Sequence, residues 1–195
     1  MKELKDIKVY IIENRVDTYE ELEKVFNDFP TIQIVNDDIV FFYKDHKDEI
    51  DCIVSPGNAF GYMTGGFDGA LSEILGWEFQ YKVMEYIGMH YYGEQGVGTS
   101  FIMDTDNKGL KFIHTTTMRK PSKIKDEMIV YYCMRSALMC AMENDINCIV
   151  IPVFGGSCGG VNPKIASKRM KDAYMQLLKA STRWDEIVMK IGKNK

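Results

Sequence analysis

Several kinds of residue and segment are scarce in this chain of 195 residues. Three histidines are present, and none pairs with a cysteine at a metal-ligand spacing, so no metal site is expected. The five cysteines are an odd number without a C-x-x-C pair, which predicts free thiols in a reducing, cytoplasmic setting. No apolar run approaches the ~20 residues of a membrane span. Residues 1–8 are charged and polar, unlike a secretory signal, so no membrane partner is expected.

The chain also lacks an excess of positive charge. Its net charge is −4 and its pI is near 5.5. Sequence-independent binding of nucleic acid needs a basic face, so direct nucleic-acid binding is not expected. Apolar residues make up 46% of the chain, which is enough for one core at this length. We therefore expect a single domain over residues 1–195.

Strand-like and helix-like segments alternate along most of the chain. The predicted strands are residues 7–12, 31–35, 38–43, 52–54, 100–104, 111–114 and 148–152, with a further candidate at 186–190. Helices are predicted at 17–27, where Asp17 is the expected N-cap, and at 68–75, 78–87, 126–144 and 163–180. This alternation predicts a mixed, mostly parallel sheet with helices on both faces. Ligands of such folds bind beyond the carboxyl ends of the strands.

A first glycine-rich loop follows the predicted buried strand at 52–54 and leads into a helix. Residues 55–70 read Ser-Pro-Gly-Asn-Ala-Phe-Gly-Tyr-Met-Thr-Gly-Gly-Phe-Asp-Gly-Ala. Adjacent glycines let the backbone approach a ligand closely, and the unpaired N–H groups of a helix start suit a phosphate. An ordinary tight turn capped by Asp68 explains the glycine content of this loop equally well.

A second glycine-rich loop follows the predicted strand at 148–152. Residues 154–163 read Phe-Gly-Gly-Ser-Cys-Gly-Gly-Val-Asn-Pro. The loop has neither the Gly-Lys-Ser/Thr of a P-loop nor the G-x-G-x-x-G spacing of a dinucleotide fingerprint, so a dinucleotide-dependent oxidoreductase is the weakest function class. Two such loops at one sheet edge are less expected by chance than one. Together they could hold a diphosphate with backbone donors, which would let an acidic protein bind an acidic ligand.

These segments resemble the signature of the macrodomain family. The resemblance rests on residues 51–58 followed by 65–70, on Ile151-Pro152 with the second loop, and on residues 37–40, and it spans residues 31–180. Residues 55–58, 97–99 and 117–119 are similar to a bacterial, phage and viral branch with a Ser-Pro-Gly-Asn first loop. The resemblance implies a three-layer α/β/α fold that binds ADP-ribose or another NAD-derived nucleotide without a cofactor.

The resemblance also implies roles for individual residues. Asp38 would accept a hydrogen bond from the adenine amino group, beside the backbone N–H of Ile39. Asn58 and Asp68 would be the catalytic residues: Asn58 would contact the distal ribose, and Asp68, kept ionised at a helix start, would activate a water molecule for hydrolysis. The diphosphate would lie between two loop walls, which are Gly65, Gly66 and Phe67 on one side and Gly155, Gly156, Ser157, Cys158, Gly159 and Gly160 on the other.

Three function classes stay open at this stage. A hydrolase that removes ADP-ribose from modified proteins, or that processes ADP-ribose 1″-phosphate, is favoured. The rivals are a non-catalytic reader or sequestering module and a viral structural protein that retains the fold. The first loop has Ser55-Pro56-Gly57-Asn58 where the family has Asn-Ala-Ala-Asn, and the family's covering aromatic is missing near Gly159. Phe154, Phe60 and Tyr62 are the candidates for a replacement stacking surface.

Three other residues have more than one interpretation. His114 is a catalytic base or, as its apolar strand favours, a core histidine. Arg119 is a phosphate ligand or a member of a surface ion pair. Cys158 stands at a helix start, but no basic partner is identifiable, which favours a small loop residue over a nucleophile.

Overall fold

Strands and helices alternate over most of residues 2–180, the part of the chain that the computed structural model describes. The strands are β1 (Lys8–Ile12), β2 (Ile32–Val35), β3 (Cys52–Ser55), β4 (Ser100–Asp104), β5 (Lys111–Thr115) and β6 (Cys148–Pro152). The helices are α1 (Val16–Phe26), α2 (Ile39–His46), α3 (Gly66–Leu75), α4 (Phe79–Tyr91), α5 (Met128–Glu143) and α6 (Pro163–Leu178). The candidate strand at 186–190 lies outside the described residues, and a single domain over 1–195 stays a prediction.

The strands form one sheet in the order β2-β1-β6-β3-β5-β4. All neighbouring pairs are parallel except β4 and β5. The register places Ile12 of β1 beside Pro152 of β6, and Val150 of β6 beside Ile53 of β3. The predicted mixed, mostly parallel sheet is thus confirmed. Both glycine-rich loops leave neighbouring strands at the same carboxyl edge.

The central strands are buried on both faces. Val9 and Ile11 of β1 belong to one apolar cluster, which also contains buried residues of α1, α5 and α6. Tyr10 and Ile12, the alternate residues of the same strand, belong to a second cluster with α2, α3 and α4. Strands covered on both sides by helices give continuous apolar runs rather than alternating ones. The three-layer α/β/α architecture follows from this pattern.

The predicted strand at 38–43 is wrong, because these residues begin helix α2. Asp38 caps the helix, and its Oδ1 accepts a hydrogen bond of 2.8 Å from the backbone N–H of Val40. Phe42 is buried against Tyr10 with ring centroids 4.9 Å apart, whereas the neighbouring Phe41 is 66% exposed. A short run of apolar residues fits a strand or a helix equally well, and this packing decides for the helix.

Two predicted helix caps are also corrected. Helix α1 begins after Arg15, and Asp17 lies in its first turn, where its Oδ1 accepts from the backbone N–H of Thr18. Helix α3 begins after Gly65, so Asp68 lies inside the first turn rather than at the cap. The second difference moves the Asp68 carboxyl into the interior of the site.

Candidate functional site

A cavity of about 630 Å³ opens at the carboxyl edge of β1, β3 and β6. Its volume lies within the range of roughly 300–1,000 Å³ that is usual for small-molecule sites. The wall is formed by the segments that follow these strands and by the first turns of α2 and α3. The site is therefore assembled where a parallel sheet offers helix starts and loop backbone to a ligand.

The glycine pair at the start of α3 faces open space. A Cβ atom added to Gly65 or Gly66 would meet no atom within 4 Å, and both residues line the cavity. Gly66 has a φ of +58°, which side chains other than glycine rarely adopt. The N–H groups of the first helical turn have no partner within the helix. This part of the wall therefore offers bare backbone donors to an anion.

Asp68 lies in the same turn and is only 8% exposed. Its Oδ1 accepts a hydrogen bond of 2.7 Å from Ser55 Oγ at the end of β3. Burial raises the pKa of Asp68 to about 7, and the Ser55 hydrogen bond opposes that rise only in part. The expectation of a fully ionised carboxylate at neutral pH is therefore corrected. The loss of hydration raises the pKa of Asp68 by more than the positive end of the helix dipole lowers it. Asp68 therefore exchanges its proton close to neutral pH.

Asn58 braces the first loop from within. Its Nδ2 donates to the carbonyl of Tyr62 at 2.8 Å, and its Oδ1 accepts from the backbone N–H of Phe60 at 3.1 Å. An amide nitrogen has two hydrogens, so one N–H of Asn58 is left for a ligand. Asn58 lines the cavity as predicted, but most of its hydrogen-bonding capacity holds the loop in shape.

His114 lies in the core beneath the first loop. Gln95 donates from Nε2 to the carbonyl of Thr99 at 3.0 Å, so its Oε1 faces His114 Nδ1 at 2.7 Å. His114 Nε2 has no hydrogen-bond partner, and a Cβ atom added to Gly57 would lie 2.2 Å from it. Burial lowers the pKa of His114 to about 3. His114 is therefore a neutral core residue that supports Gly57, which agrees with the core interpretation.

The second loop is closed by its own backbone. The N–H of Val161 donates to the carbonyl of Gly155 at 3.0 Å, and the N–H of Ile124 donates to the carbonyl of Gly159 at 2.8 Å. A Cβ atom on Gly159 would lie 2.7 Å from the Gly155 carbonyl oxygen. These glycines are therefore needed for the compact shape of the loop itself.

Not every predicted residue of the second loop reaches the cavity. The predicted residues that line it are Gly155, Ser157, Cys158 and Gly159, and the wall does not include Gly156 or Gly160. Phe154 is fully buried in the core, so the structure does not place its ring where a ligand could stack. Tyr62 lines the cavity and is 53% exposed, which makes its ring the accessible one.

Helix α2 forms the opposite end of the cavity. Asp38 and Ile39 both line it, as predicted. One carboxylate oxygen of Asp38 caps the helix, and the other is available to accept a hydrogen bond. The N–H of Ile39 belongs to the first helical position, which lacks a partner within the helix. The two residues thus present one acceptor and one donor side by side.

Sequence reasoning missed Glu13 and Arg15, which follow β1 and line the cavity. Arg15 donates from Nε and Nη2 to the two carboxylate oxygens of Glu13, each at 3.1 Å. It also donates from Nη1 to the carbonyl of Gly156 at 2.7 Å. The stretch Glu13-Asn14-Arg15 matches no motif. Its position directly after a buried strand is the signal that could have identified it.

Arg119 adopts the simpler of its two alternatives, whereas the role of Cys158 stays a prediction. Arg119 makes two hydrogen bonds with the Glu94 carboxylate, at 2.6 and 2.9 Å, and its guanidinium lies 5.3 Å from the centre of the Phe60 ring. It is therefore a member of a surface ion pair. Cys158 is an exposed free thiol in the second loop.

Two further features concern residues 2–180, namely metal-binding side-chain groups and membrane-spanning helices. Within that range, no group of three or more His, Cys, Asp or Glu side chains is arranged to hold a metal ion. In the same part of the chain, no helix has both the length and the apolar character that crossing a membrane requires.

The sequence also matches a known family. The family model for the Macro domain covers residues 54–170, more than half of the chain. The chain belongs to the macrodomain family. The matched region contains both glycine-rich loops, Asn58 and Asp68, whereas the α2 end of the cavity and Arg15 lie before it.

Solved macrodomain structures share the fold at low sequence identity. The macrodomain of Mycobacterium tuberculosis DarG is 18% identical, with a TM-score of 0.57 over 68% of this chain and 86% of that one. A mutant Oceanobacillus iheyensis macrodomain with ADPR is 20% identical, with a TM-score of 0.59 over 68% and 74%. The IBV X-domain is 16% identical, with a TM-score of 0.54 over 96% and 99%. These likenesses show a common architecture from bacteria to a virus.

Proposed function

We propose that this macrodomain binds ADP-ribose or a closely related adenine nucleotide. The observation that carries the proposal is the meeting of both glycine-rich loops in one cavity, with the start of α2 at one end and Asp68 along the wall. Macrodomains generally bind ADP-ribose, and the Oceanobacillus iheyensis relative was solved with ADPR. The five free cysteines suit a reducing compartment, so we propose a cytoplasmic protein.

The proposed arrangement follows the chemistry of the wall. The adenine amino group donates to the free oxygen of Asp38, and an adenine ring nitrogen accepts from the N–H of Ile39. The diphosphate lies between the start of α3 and the second loop, where backbone N–H groups donate to its oxygens. The distal ribose lies near Asn58 and Asp68, and the exposed ring of Tyr62 takes the place of the missing aromatic cover.

Calorimetric titration tests binding directly. Wild-type protein should bind ADP-ribose more tightly than AMP, because AMP lacks the second phosphate and the distal ribose. Asp38→Ala should weaken binding by about 1–3 kcal/mol, the usual cost of losing a hydrogen bond to a buried partner. Asp45→Ala on the exposed part of the same helix is the matched control and should bind like the wild type. Failure of the wild type to bind any adenine nucleotide would reject the proposal.

Hydrolysis is a second proposal, and it is favoured by the state of Asp68. A group whose pKa is about 7 can take up and release a proton at neutral pH, which general acid–base catalysis requires. The substrates would be ADP-ribosylated proteins or ADP-ribose 1″-phosphate. If ionised Asp68 is the base, turnover should rise with pH through about 7 and should be lost in Asp68→Asn, while ADP-ribose binding is retained. Binding without turnover in the wild type would instead indicate a reader.

A further inference from the structure

Arg15 keeps two hydrogen-bond donors free at the cavity. A guanidinium has five N–H groups, and three of them are used by Glu13 and by the carbonyl of Gly156. The side chain of Arg15 is 40% exposed, whereas that of Glu13 is only 10% exposed. The buried carboxylate therefore holds the guanidinium in one orientation without covering its remaining N–H groups.

The position of Arg15 joins two parts of the site. Because β1 and β6 are neighbours in register, the segment after β1 lies beside the second glycine-rich loop. A Cβ atom on Gly156 would lie 2.6 Å from Arg15 Nη2, so the loop and the guanidinium fit each other closely. The segment after β1 also contacts the segment after β2, because Asn36 Nδ2 donates to the Glu13 carbonyl at 2.8 Å, and Asp37 and Asp38 of the cavity wall come directly after Asn36.

The charges of the wall make Arg15 distinctive. Within the described residues 2–180, the cavity wall contains one lysine or arginine, which is Arg15, and four acidic side chains, which are Glu13, Asp37, Asp38 and Asp68. An anionic ligand therefore meets a cationic side chain at one place only in this wall. That place lies between the α2 end and the second loop.

We propose that Arg15 binds the phosphate nearest the adenosine and so determines the preference of the site for phosphorylated adenine ligands. This inference rests on the proposed function. The two free N–H groups of Arg15 donate to oxygens of that phosphate, while Nη1 keeps the second loop in place through Gly156. Arginine suits this task because its planar fork holds several partners in fixed directions, whereas a lysine ammonium acts as a point charge.

The same pairing elsewhere in the chain has a different environment. Arg119 and Glu94 make the same two-bond pair, but both side chains are exposed and lie outside the wall of the main cavity. The guanidinium of Arg119 is turned towards the Phe60 ring rather than towards a loop carbonyl. Of these two pairs, only Arg15 combines a buried carboxylate partner with free donors in the cavity.

The test measures affinities for ADP-ribose, ADP and adenosine, the last by ligand-observed NMR titration. Arg15→Met should weaken ADP-ribose and ADP binding roughly 10- to 100-fold, as expected for lost hydrogen bonds to a charged group. Adenosine binding should stay within about threefold, because adenosine has no phosphate for the guanidinium to contact. Arg15→Met should also reduce the salt dependence of ADP-ribose binding. Lys24→Met removes the same charge from an exposed ion pair on α1 and should change none of these values.

The outcomes separate this inference from a purely structural role. An equal loss for all three ligands, or unchanged binding of ADP-ribose, would overturn it. Arg15→Lys, checked for folding by its thermal midpoint, should keep part of the preference for ADP over adenosine. A lysine variant that shows no more preference than the methionine variant would also contradict the inference. Absence of binding by the wild type would instead refute the proposed function on which the inference rests.

Discussion

The two glycine-rich loops contact the same cavity but are supported in different ways. The first loop is held by buried polar side chains in addition to backbone hydrogen bonds from the segment after β5: Asn58 bonds its backbone, Ser55 bonds Asp68, and Thr117 Oγ1 donates to the Gly57 carbonyl at 3.0 Å. The second loop is held by two backbone hydrogen bonds within the loop, by the backbone N–H of Ile124 and by the Arg15 side chain, the last two from outside the loop. The first loop therefore contains the groups that can do chemistry, and the second provides shape.

The glycines of the two loops differ in the same sense. Gly65 and Gly66 face empty space in which a ligand can approach, whereas Gly57, Gly155 and Gly159 are glycines because neighbouring atoms leave no room for a Cβ. A glycine-rich sequence thus contains two kinds of position. Substitutions at the first kind of position should weaken ligand binding, and substitutions at the second kind should lower the stability of the fold.

The largest expected effect concerns the buried carboxyl of the first loop. The pKa of Asp68 is about 7 in the folded protein against an ordinary value of 3.8, so the folded state keeps a proton that the unfolded state has lost between these pH values. Stability therefore falls as pH rises through that window. Asp68→Asn should raise the free energy of unfolding at pH 8 by up to about 4 kcal/mol, and the gain should vanish below about pH 4. Urea denaturation across pH measures it.

His114 gives this experiment an internal check. Its pKa is about 3 when folded against an ordinary 6.5, so the unfolded state binds the extra proton and stability is lost as pH falls through that window. In the wild type, the pH dependence of stability that comes from Asp68 and the one that comes from His114 have opposite signs. Asp68→Asn should therefore show a steeper loss of stability in acid than the wild type. An identical pH profile for the two proteins would contradict the burial argument.

The second effect concerns the contact beneath the first loop. Gly57→Ala would place a Cβ 2.2 Å from His114 Nε2, inside the distance that any two such atoms tolerate. We expect it to lower the free energy of unfolding by about 3 kcal/mol, the upper part of the usual range for overpacking. Adding His114→Ala should recover part of the loss, because the obstacle is removed. Stability near the wild type in the single variant would show that the loop is not rigidly supported.

The third effect tests the second loop. Gly159→Ala would bring a Cβ to 2.7 Å from the Gly155 carbonyl oxygen and 2.8 Å from Ile124 Cδ1. Because fewer side chains hold this loop than hold the first, we expect a smaller loss of stability, about 2 kcal/mol. Chemical denaturation measures the loss beside that of Gly57→Ala. A larger loss for Gly159→Ala would reverse the comparison of the two loops.

The smallest effect on stability belongs to the open glycine pair. Gly65 has an extended φ of −162° and no atom within 4 Å of an added Cβ, so alanine fits there. Gly65→Ala should cost within about 1 kcal/mol of stability, the difference between glycine and alanine at a helix cap. It should nevertheless weaken ADP-ribose binding by roughly tenfold or more, because the methyl group displaces the ligand from the backbone. If Gly65→Ala binds ADP-ribose with wild-type affinity in calorimetry, the diphosphate does not lie against the start of α3.

Much of the fold could be predicted from the sequence because the central strands are continuous apolar runs and two of them, β3 and β6, are followed by glycine-rich loops. Helix α2 was mistaken for a strand since five consecutive apolar residues have no period, and the packing of Phe42 on Tyr10 decides between the alternatives. The protonation of Asp68 could not be predicted, because its burial depends on the assembled tertiary structure. Arg15 was missed because its contact with Gly156 forms only when β1 pairs with β6.

The strand order has a consequence for how the protein folds. The centre of the sheet pairs β1 with β6, whose paired residues, such as Lys8 and Cys148, lie far apart in the chain, and β6 also pairs with β3. Such long-range pairings form slowly, because large chain loops must close first. Because the second loop follows β6, partly folded chains that lack β6 lack one wall of the cavity, so we expect a ligand to bind only the completed sheet. If the protein binds a nucleotide as proposed, the ligand should lower the rate of unfolding and leave the rate of folding unchanged. The ligand would then stabilise the folded protein kinetically.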